Sequence, residues 1–262
     1  VVTNPSGVSR TLYPYGAIRR AGMPKDAGKN AIVFEGLMGV FGDKLTDRKY
    51  RDLAKGDKNL EMTGTTGWLG VSDHYWLTAL IPANGTQFDA KLAMRKADAV
   101  NNYEASYIGA SRTIAPGASH TEETKIFSGA KRVDLLNDYK KQFNIASFEK
   151  AVDWGNFWFF TKPIFSLLNY FENLVGNFGV AILMLTVVVK IIFFPLMNQS
   201  YVAMSRMRKL QPKMEEIKKK HGKDPQKMQQ ETMALYAKEK INPLAGCLPM
   251  LVPIPVFYAL YK

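Results

Sequence analysis

The chain holds one cysteine, Cys247, and three scattered histidines, His74, His120 and His221, in 262 residues. One thiol excludes an intrachain disulfide framework and every multi-cysteine zinc site, and three distant imidazoles do not make a histidine-rich metal centre. No nucleophile, base and orienter stand at a motif spacing, no glycine-rich loop has the phosphate-cradling pattern, and no ligand cluster has metal spacing. Neither an enzyme nor a cofactor is therefore expected, and His74 and His120 read as structural or surface residues. Negative charge is also scarce: 23 Asp plus Glu against 35 Lys plus Arg leave a net charge of +12. That excess suits a polyanionic partner such as nucleic acid, ribosome or acidic lipid. The chain opens on Val1 with no basic, apolar signal pattern, so it is expected to be a piece of a longer protein.

Apolar residues are plentiful but unevenly placed. Phe178 to Met197 reads FGVAILMLTVVVKIIFFPLM, with sixteen of twenty positions Ala, Val, Ile, Leu, Met or Phe. A helix of that length covers roughly 30 Å, the hydrocarbon thickness of a bilayer, and an all-round apolar surface is unusual for a soluble core helix. Leu244 to Tyr261 is a second uncharged run containing Pro249, Pro253 and Pro255, which membrane helices tolerate. It stops at Lys262, so the span over 244–262 is expected to be cut short.

Between the two runs, residues 198–243 carry 11 Lys plus Arg and 5 Asp plus Glu. Arg206, Arg208, Lys209 and Lys213 follow the first span closely, whereas Lys162 is the one basic residue within the same distance upstream. The positive-inside rule then makes 198–243 cytoplasmic and 1–177 periplasmic. In this loop Met204, Met207, Leu210, Met214 and Ile217 recur at three and four, a stripe along one helix. His221-Gly222-Lys223 breaks it, Asp224-Pro225 starts a second helix, and Asn242-Pro243 ends that one. The expectation is an antiparallel two-helix hairpin, either simply solvated or a basic, methionine-lined contact arm.

The amino-terminal part reads as β structure. Tyr75 to Ile81 and Phe88 to Met94, joined through Pro82-Ala-Asn-Gly85, predict a half-buried hairpin. Further strands are expected at Val8 to Tyr15, Tyr103 to Ile108 and Thr121 to Phe127, then a helix over Ala130 to Phe143. Over 1–153 this gives an antiparallel sandwich closed by a helix. Residues 154–177 are crowded with aromatics, and Ile164, Leu168, Phe171 and Val175 share one helical face. Such a segment predicts an amphipathic helix lying in the outer membrane interface.

The run GNFGVAILMLTVVVKIIFFPL, followed by MRKLQPKMEEIKKKHGKDPQKMQQETMALYAKEKINPLAGCLPMLVPIPVFYALY, resembles the YidC membrane protein insertases, relatives of the Oxa and Alb insertases. NPL-x-GCLP, which contains Pro243, Gly246 and Pro249, is the most specific string. IVFEGLMGVFGDKL and GWLGVSDHYWLTALIP are similar to the periplasmic domain of Gram-negative members. The resemblance implies a multi-domain, multi-pass protein of the bacterial inner membrane. Its parts would be a periplasmic antiparallel β-supersandwich, an interfacial helix, the second membrane span, a cytoplasmic two-helix arm and the start of the third span.

It further implies a function without covalent chemistry: nascent membrane proteins pass from the cytoplasm or the Sec translocon into the bilayer. The family's usual span carries an arginine facing a water-filled groove. Here that position, four after Thr186 and five before Pro195, is Lys190, which keeps the charge but not the guanidinium fork. Lys190 and Thr186 are the expected groove residues, with snorkelling of Lys190 toward headgroups as the bland alternative. Pro253 stands where many relatives carry glutamine. Expected partners are nascent membrane proteins, the Sec translocon, a ribosome or targeting factor at the hairpin, and anionic lipid, with no sequence-specific nucleic acid. The competing reading is a transporter, or an envelope protein with a periplasmic carbohydrate-binding sandwich.

Overall fold

A computed structural model describes residues 1–24, 33–97, 100–155, 157–221, 225–238 and Ile254. The expected second span at 244–262, with Pro243, Gly246 and Pro249, and the break at Gly222 lie outside the described residues. The chain divides into two compact units, Val1–Asp153 and Trp154–Lys262.

The first unit is built from short strands: β1 (Val2–Thr3), β2 (Arg10–Leu12), β3 (Tyr15–Ala21), β4 (Gly36–Phe41) and β5 (Lys44–Lys49), then the single-turn α1 (Tyr50–Ala54). There follow β6 (Leu60–Gly64), β7 (Gly67–Ser72), β8 (Trp76–Ile81), β9 (Phe88–Ala97), β10 (Val100–Gly109), β11 (Arg112–Ile114), β12 (Ser119–His120) and β13 (Lys125–Ala130). Helix α2 (Val133–Gln142) and a 3-10 turn at Phe148–Ala151 close the unit. Two antiparallel sheets dominate it, one ordered β3-β10-β9-β6 and the other β13-β8-β7-β4-β5.

Leu37, Leu69, Val71 and Leu80 of the five-stranded sheet form one core with Phe88, Ala90, Leu92, Tyr103 and Tyr107 of the four-stranded sheet. The opposite face of the five-stranded sheet contributes Met38, Val40, Trp68, Leu77 and Ala79 to a second core, with Leu136 of α2 and Phe148. The Trp68 and Phe148 rings meet edge-on, centroids 5.5 Å apart. Because both faces of this sheet are covered, β4 and β7 are buried along nearly their whole length and lack the polar alternation of a one-sided strand. The unit has three layers: sheet, sheet and helix.

That arrangement corrects the expected hairpin of Tyr75 to Ile81 with Phe88 to Met94. Strand β8 pairs with β7 and β13, whereas β9 pairs with β6 and β10. Residues 82–87 carry the chain from one sheet to the other, so Leu80 shares a core with Phe88, Ala90 and Leu92 of the opposite sheet instead of lying beside them. The alternation of Phe88, Ala90, Leu92 and Met94 marks the face that β9 turns to the core, but it does not say which strand lies alongside. Strand β10 covers the expected 103–108 and α2 the expected helix, starting at Val133. The strand expected at Val8 to Tyr15 is split into β2 and β3 around Pro14, whose carbonyl accepts from Gly109 N–H at 2.8 Å. The strand expected from Thr121 begins later, at Lys125.

At one side of the sandwich Arg20 pairs with Asp73 at 2.6 Å, and the Tyr50 hydroxyl donates to Asp73 Oδ1 at 3.1 Å. Burial first, and the Asp73 charge next, push the Tyr50 phenol well above its ordinary range, so it stays a neutral donor.

The second unit is helical among the described residues: α3 (Trp158–Val175), α4 (Phe178–His221) and α5 (Pro225–Lys238). A two-residue reversal separates the first two. Gly176 takes the left-handed conformation that ends α3, with φ +65°, and its N–H donates to Glu172 O at 2.7 Å. Asn177 then caps α4, accepting Val180 N–H on Oδ1 at 3.2 Å.

Gly70 in β7 is a test of how tightly the middle sheet is made. A Cβ there would lie 2.0 Å from the carbonyl oxygen of Thr78 in the next strand, whereas at Gly7 it would meet nothing within 4 Å. Gly70→Ala is expected to destabilise residues 1–153 by about 1 to 3 kcal/mol, the usual range for overpacking, with Gly7→Ala near neutral. Urea unfolding of the isolated unit followed by tryptophan fluorescence checks both, and a neutral Gly70→Ala would contradict the strand packing.

Candidate functional site

The candidate site lies on α4. Helix α3 presents Ile164, Leu168 and Phe171 to α4, where Ala181 and Leu185 are buried and Met184, Val188 and Val189 are partly covered. The face of α3 that its sequence marks as apolar thus meets a protein partner along α4. Residues 181, 185 and 188 lie on one side of a helix, and at 100° per residue Thr186 and Lys190 fall on the far side. Leu183, Val187 and Phe194 share that far side, and all three are exposed, Leu183 and Phe194 each by 67%.

Lys190 is exposed in this apolar surface, and no carboxylate pairs with it among the described residues. Thr186 is also exposed, but its hydroxyl donates back to Ile182 O at 2.8 Å on its own helix. The two expected groove residues therefore share a face without bonding to each other. The Thr186 oxygen keeps lone pairs for an incoming donor, and Lys190 offers N–H donors and a positive charge. Such a surface can attract an acidic or carbonyl-rich segment while offering apolar contact on either side.

Helix α4 runs without interruption from the apolar stretch into the basic one, so the helix expected from Tyr201 is a continuation of the apolar helix rather than a separate element. Two prolines are accommodated inside it, Pro195 and Pro212. Pro195 has no N–H for the carbonyl of Ile191, which weakens the helix one turn beyond Lys190. Helix α5 packs back against α4. The Tyr236 hydroxyl lies 3.3 Å from Met214 Sδ, and Gln211, Met214 and Lys218 share a cleft with Met228, Thr232 and Met233. Met214 is thus turned inward to α5, Met207 is half-buried and Leu210 is buried, whereas Arg206, Arg208, Lys209 and Lys213 are exposed. Of the expected contact residues, the basic ones face outward and Met214 serves the helix pair itself.

Sequence reasoning missed one arrangement, the placement of Lys162 against Trp154 and Trp158. The crowding of aromatics signalled it, but the positions at which the ring faces flank a cation depend on the turn of α3.

With this geometry in hand, two family models match. One described as "YidC periplasmic domain" covers residues 1–167, and one described as "60Kd inner membrane protein" covers residues 170–262. The sheets of the first unit and the helices of the second are therefore those of an inner-membrane protein with a large amino-terminal domain. The chain belongs to the YidC family of membrane protein insertases. A relative from Caulobacter vibrioides (strain NA1000 / CB15N), "Membrane protein insertase YidC", is 45% identical over 96% of this chain and 44% of its own length. Proteins of the same name from Nitrobacter hamburgensis and Sinorhizobium medicae are 42% and 43% identical over 100% of this chain and 44% of theirs. The chain spans less than half the length of these relatives. Insertion is a non-enzymatic function, and the transporter or sugar-binding alternative gains no support from these matches.

The inward set of the helix pair gives a testable consequence. Met214→Asp, which puts a charge against Tyr236 in the contact of α4 with α5, is expected to separate the two helices and raise tryptic cleavage within 222–238 several-fold, whereas Lys209→Ala, on the outward side, is expected to leave cleavage in that segment unchanged. Equal digestion of the two variants would contradict the seam.

Proposed function

We propose that, in the full-length protein, this region takes part in inserting nascent membrane proteins, with the far side of α4 as the surface that receives them. The name of the relatives, membrane protein insertase, supports insertion as the activity. In this reading α4 spans the inner membrane over residues 178–197, residues 1–153 are periplasmic, 154–177 lie at the outer interface, and 198–243 form a cytoplasmic arm.

The observation that carries the reading is that α3 covers one side of α4 while Lys190 and Thr186 stand on the other, among exposed apolar residues. A charge near the bilayer centre costs about 2.5 to 3.5 kcal/mol on insertion scales, so an uncompensated lysine there calls for water or an anionic partner. Further helices of the full-length protein would wall a hydrophilic groove around it. Passing a polar tail through hydrocarbon is opposed by several kcal/mol per unsatisfied backbone group, and a wet half-crossing shortens the dry path. The fixed cation attracts acidic residues in transit. Arg206, Arg208, Lys209 and Lys213 on the outward surface of the arm would meet anionic lipid, a ribosome or a targeting factor, and the Sec translocon would deliver some substrates.

In an insertion assay with full-length protein, Lys190→Arg is expected to retain activity. Lys190→Ala and Lys190→Glu are expected to slow substrates with acidic translocated tails at least several-fold, more than neutral ones. Normal insertion of acidic tails by Lys190→Ala would sink the role assigned to this cation.

A further inference from the structure

Lys162 lies early in α3, and its ammonium is 5.8 Å from the centre of the Trp154 ring and 5.6 Å from that of Trp158. Trp154 is braced edge-on by Phe165, with centroids 5.3 Å apart. A cation over indole faces is held in place by the ring quadrupoles but not neutralised. The rings supply no hydrogen-bond acceptor for the N–H donors, and no carboxylate pairs with Lys162 among the described residues. The charge is therefore fixed in position and still open to an anion.

The surroundings narrow the choice of anion. Phe157, Trp158, Phe159 and Phe160 are all exposed, Trp158 by 58%, and their rings form a contiguous cluster. The contact with α4 is made by Ile164, Leu167, Leu168 and Phe171 further along α3. An exposed aromatic cluster needs a partly apolar medium, and the cation at its edge needs a negative one. The headgroup layer of a phospholipid bilayer offers both within a few ångströms.

We infer that Lys162, held between Trp154 and Trp158, binds the phosphate of a phospholipid headgroup and so sets the depth at which α3 lies in the membrane surface. This rests on the reading of α3 as an interfacial helix. A free phosphate ion could satisfy the ammonium but would leave the aromatic cluster in water, which is why the lipid is the assigned ligand.

The test uses full-length protein with Phe159→p-benzoylphenylalanine, which leaves both tryptophans in place. It is reconstituted in vesicles of equal parts phosphatidylglycerol and digalactosyldiacylglycerol with matched acyl chains. Photoadducts identified by mass spectrometry are expected to favour phosphatidylglycerol about five-fold, the factor expected of one basic residue at an anionic surface. Lys162→Arg is expected to keep that ratio, and Lys162→Met to bring it to parity. Added inorganic phosphate is expected to leave it unchanged. Parity with native Lys162, or an undiminished ratio in Lys162→Met, would overturn the phosphate contact while leaving the interfacial helix standing. Collapse of the ratio by free phosphate would overturn the lipid assignment, and absence of any lipid adduct would overturn the interfacial reading as well.

Discussion

A lysine inside an apolar helix must reach water, a carboxylate or the headgroups, because its charge cannot be left in hydrocarbon at low cost. Which of these it reaches depends on what covers the rest of the helix. In α4 one side is taken by α3, through Ala181 and Leu185 against Phe171 and its neighbours, so Lys190 and Thr186 are left on the open side. Snorkelling would have to bridge roughly 10 Å from residue 190 to residue 197 on a flexible stem. The α3–α4 pair is what gives the cation a direction, and the Gly176-Asn177 reversal is what makes that pair.

The amino-terminal unit solves a different problem. Its five-stranded sheet is covered on one face by the four-stranded sheet and on the other by α2 with the 3-10 turn at Phe148–Ala151. Within this sheet, glycines such as Gly70 stand where the neighbouring backbone leaves no room for a Cβ. The result is a compact body, and among the described residues no group of three or more His, Cys, Asp or Glu stands close enough to hold a metal ion.

What the sequence made legible follows from these two situations. The apolar run of α4, the helix α2 and the strand β10 could be read because length or periodicity marks them directly. Strands β4 and β7 could not, since burial on both faces removes the alternation that identifies a strand, and GLMGVF and GWLGVS look like short apolar runs of no fixed type. The expected hairpin fails because neighbours in sequence are not neighbours in a sheet here: residues 82–87 cross the sandwich. At the site, Lys190 and Thr186 were legible as a pair four residues apart. Which side of α4 they occupy depends on α3, and that Met214 serves α5 depends on how α5 folds back on α4.

The side of α4 facing away from α3 is the side proposed to meet an inserting chain. A scan of single cysteines along α4 tests this most directly, in full-length protein with Cys247 and any other native cysteine replaced by serine, by disulfide formation with a stalled nascent membrane protein carrying one cysteine. Crosslinks are predicted at positions 183, 186, 187 and 190 and not at 181, 185 or 188. Crosslinks confined to 181, 185 and 188, or none at 186 and 190, would contradict it.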